Sequence, residues 1–271
     1  MRGTYIGNRR ALVWPLWGGE LVIPSDDLSM APDLLIHGLH EPELTHYFLK
    51  NIKEGFTVVD LGANLGYFTV LLGHLVGPKG KVIAYEADPR SFSFLMDNIS
   101  INYFHDHVTI HNKAVYSSAC RIPFYSTGRF RGNSSIYRHG DGYFKYYNDS
   151  ISEIEVEAEP LDIYLGGIES IDLVKMDIEG GEYQAFMGMA GLIGSGAVGS
   201  VVFEMNRSMM KSDWGSFCTL LRKLKEKHGA LFYTLTLEGN AVPAELEQLL
   251  KEGGNPGVLM KLGDFTGFRL M

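Results

Sequence analysis

The chain has 271 residues, of which 45% are hydrophobic, enough to fill the core of one α/β domain with insertions. A formal charge of −8 lacks the basic footprint of a protein that grips DNA or a large RNA, so no nucleic-acid partner is expected and a small or neutral ligand is favoured. Two cysteines, Cys120 and Cys218, make no disulfide framework, and no charged-then-apolar leader or long apolar span is present, so the expectation is a cytoplasmic protein with no membrane partner.

Residues 1–30 alternate apolar and polar around Trp14, Trp17 and Gly18-Gly19, which predicts a short hairpin within an N-terminal β extension over 1–36. The run His37-Gly-Leu-His-Glu41-Pro-Glu43 then leads into a helix reaching about Asn51, with Pro42 in its first turn. Next come a strand at 57–61, a helix at 65–76, a strand at 81–86, a helix at 89–101 and a strand at 107–112. That alternation predicts a parallel sheet. The segment 121–160 interrupts it as a β-rich insertion, with strands around 122–125 and 151–156 enclosing a polar, aromatic-rich excursion. Strands at 171–177, 198–205, 230–237 and 257–262 and helices at 182–192 and 213–227 complete a single domain over 1–271.

The most informative residues are Asp60-Leu-Gly62-Ala63-Asn64-Leu-Gly66, directly after an apolar strand. A carboxylate at a strand end, glycines that let a ligand approach the backbone, and a helix start make an adenosine-cofactor loop. Asn64 is expected to cap that helix. The phosphate fingerprints, G-x-G-x-x-G and G-x-x-x-x-G-K-[ST], are absent from the loop, and an acidic strand end suits a cationic group better than a pyrophosphate. Glu86 ends the following strand, where a carboxylate can accept both hydroxyls of a ribose. Either acid alone reads as a helix-start residue; at successive strand ends they favour a cofactor. Asn112-Lys113-Ala114 and Asp177-Ile-Glu179-Gly-Gly-Glu182 end two further strands, on the edge of an open sheet where ligands bind.

These blocks resemble class I S-adenosylmethionine-dependent methyltransferases, and more narrowly the FkbM family. The resemblance is carried by His37-Gly-Leu-His-Glu41-Pro-Glu43, VVDLGANLGYFTVLLG from Val58, AYEADP from Ala84, Asn112-Lys-Ala-Val115, DLVKMDIEGGEYQAFMG from Asp172 and Val202-Phe-Glu204. It implies a doubly wound, seven-stranded, mostly parallel Rossmann-like sheet. It assigns Asp60, Gly62, Ala63, Asn64 and Gly66 to the methionine and ribose side of S-adenosylmethionine, Glu86 and Ala87 to the ribose, and Asn112, Lys113 and Ala114 to the adenine, with Asn112 facing its exocyclic amine; Glu41 approaches from the preceding segment. Asp177 is followed by Ile178-Glu179-Gly180 in place of the Asp-Pro-Pro-Tyr signature of amino-methylating enzymes, which implies O-methylation of a small molecule, sugar or polyketide-like acceptor.

An alcohol acceptor needs a base, and Asp177 and Glu179 are the candidates, pointing to one side if their strand continues through them. With Glu182 they form a carboxylate trio able to hold a divalent cation such as Mg, although Glu179 and Glu182 can equally stabilise a helix start. Lys175 is expected to pair with one of these acids. In the excursion, Asn133, Ser134, Ser135 and Tyr137 are candidate acceptor-binding residues and His139 a candidate base; the same aromatic segment can instead be a homodimer contact. Rival readings are an RNA methyltransferase, which the charge disfavours, a non-catalytic cofactor-binding scaffold, and a nicotinamide-dependent enzyme.

Overall fold

The computed structural model describes residues 2–251 and 254–263. The N-terminal strands β1 (Gly3–Gly7), β2 (Arg10–Val13) and β3 (Leu21–Pro24) form an antiparallel meander, one strand more than the expected hairpin. Every residue of β3 is buried, which removes the alternation that marks a strand in sequence. Helices α1 (Ala31–Ile36) and α2 (Pro42–Asn51) follow. The core alternation is β4 (Thr57–Leu61), α3 (Tyr67–Val76), β5 (Lys81–Tyr85), α4 (Pro89–Ile101) and β6 (Val108–His111). The insertion contributes β7 (Ala114–Val115), β8 (Cys120–Thr127), α5 (Tyr143–Tyr146) and β9 (Ile151–Glu159), and its strands form a separate three-stranded sheet. The chain continues through α6 (Leu161–Leu165), β10 (Leu173–Met176), α7 (Glu182–Gly188), α8 (Ala190–Gly194) and β11 (Ser200–Glu204). It closes with α9 (Arg207–Met210), α10 (Trp214–His228), β12 (Leu231–Leu235), β13 (Ala241–Pro243), α11 (Leu246–Leu249) and β14 (Gly257–Lys261).

The main sheet runs β13-β12-β14-β11-β10-β4-β5-β6, with β14 antiparallel to both neighbours. It holds the seven expected strands plus the short edge strand β13. From β4 the order grows to β5 and β6 on one side and to β10 and β11 on the other, so the crevice at the β4/β10 junction is the switch point where open α/β sheets bind ligands. Both faces are covered, with Val58 in one apolar cluster and Val59 and Leu61 in the other.

Three local departures from expectation have physical causes. Helix α3 starts at Tyr67 behind Gly66 (φ 97°), and Asn64, itself at φ 51°, does not cap it. The strand expected to run through Asp177 stops at Met176, because Glu179 (φ 49°) and Gly180 (φ 99°) turn the chain. The helix expected over 182–192 breaks at Met189 (φ −119°, ψ 22°). No helix among the described residues is long and apolar enough to cross a membrane.

Candidate active site

The site grows from the loop after β4. The N–H groups of Gly62 and Ala63 both donate to the Tyr85 carbonyl, at 3.0 and 2.9 Å, which folds the loop back over the end of β5. Glycine is required at 62: its φ is +73°, and a Cβ there would lie 1.8 Å from the Asp177 carbonyl oxygen. Glu86, at the end of β5, accepts backbone N–H bonds from Asn64 and Asp88, each at 2.7 Å. Burial pushes its carboxyl up to about 7, even though those two donors oppose the shift. Asp88 caps α4 through Arg90 N–H and also binds the Arg90 guanidinium and the Ser126 hydroxyl, fastening the insertion to this rim.

A first cavity opens here, walled by Glu86, Ala87, Lys113, Ala114, Arg131 and Ser134 among others. It shares Gly62, Asn64, Gly132 and Asp177 with a second cavity lined by His40, Glu41, Ala63, Lys175, Glu179 and Glu204. Polar atoms are left over in these walls: the Asn64 amide oxygen and two guanidinium nitrogens of Arg131 are buried without a hydrogen-bond partner. Buried unpaired donors and acceptors are costly, so walls that carry them suit a polar ligand.

Beneath the second cavity lies a buried ion cluster. Lys175, 3% exposed, sits 3.2 Å from Asp60, which is 0% exposed, and 3.8 Å from Asp177, and it donates to the Gly62 carbonyl at 3.0 Å. Burial opposes the ammonium charge, but Asp60, Asp177 and Glu41 outweigh it and hold the lysine pKa above its usual value. Thr69 donates to the other Asp60 oxygen at 2.6 Å. Burial raises Asp177 to about 6, with Lys175 pulling the other way. At the cavity mouth, Glu41 occupies a left-handed conformation (φ 41°) ahead of Pro42 and pairs with His40 at 3.2 Å. Burial opposes both shifts in that pair, yet His40 lowers the Glu41 pKa and Glu41 raises that of His40.

A third cavity, about 380 Å³, lies on the far side of Asp177, between α2 and the ends of β10, β11 and β12. Asp177 is the single residue that lines all three cavities.

The expected site residues divide into several groups. Gly62, Ala63, Asn64, Glu86, Ala87, Lys113, Ala114, Glu41, Asp177, Glu179, Asn133 and Ser134 line the cavities. Asp60 and Gly66 do not: Asp60 faces Lys175, and Gly66 faces α4, where a Cβ would meet Leu95 at 2.7 Å. Asn112, expected at an adenine amine, instead spends its amide on the carbonyls of Glu86 (2.8 Å) and Ala87 (3.2 Å) and braces the cavity from outside. Ser135 donates to the Glu179 carbonyl and Tyr137 to Asp213, each at 2.7 Å, so both serve internal bonds. His139, expected as a base, lies outside the cavity walls, bonded to the Asn133 carbonyl at 2.6 Å and packed on Tyr143.

The carboxylate trio is also corrected. Among the described residues, oxygens of Asp177, Glu179 and Glu204 lie within 4.8 Å of one another, whereas Glu182 points into the protein, 0% exposed, and accepts from Gly180 N–H at 3.2 Å. Such acid groupings are common without an ion, and the Glu179 carboxylate is already engaged by Asn206 at 2.7 Å; a divalent cation finds no support here. Sequence reading missed Glu204, His40 and Arg131. Glu204 was detectable: it ends the next parallel strand, as Glu86 and Asp177 directly follow theirs and Asp60 stands one residue inside the end of its own, and the same rule applied once more would have selected it.

Comparisons with known proteins agree with this architecture. Residues 60–239 match the family described as the methyltransferase FkbM domain. The methyltransferase sdnD of Sordaria araneosa is 25% identical over 168 residues, covering 53% of this chain and 64% of its own. The crystal structure of an FkbM methyltransferase from Methylobacillus flagellatus KT superimposes with a TM-score of 0.50 at 16% identity, over 83% of this chain and 49% of that one, a likeness of fold. The chain therefore spans less than two thirds of the length of either relative.

Proposed function

This chain belongs to the FkbM methyltransferase family, and we propose that it is a methyltransferase whose donor is S-adenosylmethionine and whose acceptor atom is an oxygen. The observation that carries the donor reading is the continuity of the first two cavities through Gly62, Asn64, Gly132 and Asp177, with a carboxylate at one end and an acid-rich chamber at the other. In this reading Glu86 accepts the ribose hydroxyls while Ala87 and Ala114 flank the base. The unpartnered Asn64 oxygen and Arg131 nitrogens supply polar contacts that the protein itself leaves open. The acid-rich chamber suits the cationic ammonium of a methionine tail. Asp60 acts through Lys175, fixing the ammonium that in turn orients the Gly62 carbonyl and Asp177.

When bound, the donor would supply a sulfonium methyl for an acceptor oxygen, the C–S electron pair going to sulfur as the C–O bond is made. The acceptor's proton goes to an Asp177 carboxylate oxygen. A carboxyl held at about 6 is ionised at neutral pH yet more basic than an ordinary one, which suits a general base. In this reading donor and acceptor would meet at Asp177, where the cavities share a wall, and positioning is the larger part of such a displacement.

Calorimetry with S-adenosylmethionine and S-adenosylhomocysteine tests the donor, and transfer of a labelled methyl group tests the base. Glu86→Ala should weaken binding by about 10- to 100-fold, the worth of one or two charge-assisted hydrogen bonds. Asp177→Asn should keep the donor bound and lower turnover by about 10²- to 10⁴-fold. Failure of folded wild-type protein to bind either compound would refute the donor assignment, and undiminished turnover by Asp177→Asn would remove it as base.

A further inference from the structure

The third cavity is the roomiest of the three, and it adjoins the second through Glu41, Lys175, Asp177 and Glu204. Its walls are largely apolar, from Leu44, Val202, Phe203, Leu235 and Pro256, with Thr234 at the side. Its ionisable side chains are one-sided: the acids Glu41, Glu43, Asp177 and Glu204 stand against one lysine, Lys175, which Asp60 and the Gly62 carbonyl already hold. The Glu204 carboxylate makes no hydrogen bond or ion pair to the described residues, and burial together with Asp177 and Glu41 pushes it up to about 8. The aromatic insertion is a poorer acceptor wall, because Ser135 and Tyr137 are committed to Glu179 and Asp213, while Asn133 and Ser134 line the donor cavities.

We propose that the methyl acceptor enters through this third cavity, and that it is a hydroxylated compound with an apolar face, neutral or cationic, bearing neither phosphate nor carboxylate. The inference rests on the donor reading above, since it takes Asp177 as the junction between donor and acceptor. An apolar face fills the wall formed by β11 and β12, and a hydroxyl directed past Glu204 reaches Asp177. A phosphate would be brought up against the ionised Asp177 and Glu41 carboxylates, and Lys175 is already held by Asp60, so nucleotides, sugar phosphates and RNA are disfavoured by charge at this mouth.

The test uses protein loaded with S-adenosylhomocysteine and three probes: octyl glucoside, its 2-amino-2-deoxy analogue and its 6-phosphate, each followed by calorimetry. The first two should bind, and the phosphate at least 10-fold more weakly than octyl glucoside. Thr234→Trp, at a half-buried position of the cavity wall, should weaken both binding probes at least 10-fold while S-adenosylhomocysteine affinity stays within twofold. Tyr137→Phe should leave probe binding unchanged. Equal or tighter binding of the phosphate, no effect of Thr234→Trp, or no probe binding to loaded protein would overturn the acceptor inference alone. Failure to load S-adenosylhomocysteine would overturn the donor reading, and this inference with it.

Discussion

Replacing Lys175 with methionine removes the ammonium that neutralises two buried acids. Asp60 is 0% exposed and would keep only the Thr69 hydroxyl, while Asp177 would lose the charge 3.8 Å away. Breaking a buried pair from one side costs about 3–5 kcal/mol, because the surviving charge is stranded in a low-dielectric interior. For a chain of this length each kcal/mol moves the melting temperature by about 2 °C, so Lys175→Met should melt about 6–10 °C below wild type. Asp60→Asn in the same background removes the stranded charge and should recover at least half of that loss. The assay is thermal and urea unfolding of the two single variants and the double, read as a double-mutant cycle. A Lys175→Met loss under about 1 kcal/mol, or a double variant as unstable as the sum of the singles, would refute the claim that this pair is a mutually dependent buried unit.

Gly62→Ala should give protein that fails to fold or has no measurable S-adenosylhomocysteine affinity, since its Cβ would lie 1.8 Å from the Asp177 carbonyl oxygen at a backbone φ of +73°. Normal calorimetric binding by this variant would show that the loops after β4 and β10 can separate without harm. Burial raises Asp177 to about 6, Glu86 to about 7 and Glu182 to about 8, so the folded state holds protons that the unfolded chain has already released. Their contribution is therefore fully present below about pH 4 and is lost as pH rises through the raised values, so stability of the ligand-free protein should fall between about pH 5 and about pH 8. Glu182→Gln, which keeps the shape and removes the titration, should flatten the upper part of that fall in a melting-temperature series; an unchanged slope would show that Glu182 does not titrate there.

The ends of β4 and β5 were legible to within a residue because apolar runs followed by acids and turn residues encode a strand, a turn and a helix within about ten residues. The bounds of β4 and of α4 follow from such local signals. What failed locally failed for a reason of distance. Asn64 has the chemistry of a cap, yet its backbone N–H is drawn to Glu86 on another strand and Gly66 takes the start of the helix. Gly188, at the end of α7, answers to a neighbour far away in sequence, since the Tyr116 carbonyl lies 2.2 Å from where its Cβ would stand.

The same division holds for the chemistry. Sequence alone determined that Asp60, Glu86 and Asp177 arrive at the carboxyl edge of the sheet, because that depends only on where each strand stops; Glu204 obeys the same rule but was passed over. Which of them meets a ligand was decided by register and by side-chain direction across the sheet. Lys175 stands opposite Asp60 in the β10/β4 pairing, and that contact turns Asp60 inward as a counter-ion. The turn after β10 sends Glu182 into the core, and the parallel pairing of β10 with β11 brings Glu204 beside Asp177 in its place. Each of these meetings joins residues far apart in the chain, and no local pattern of hydrophobicity or turn chemistry carries information over that separation.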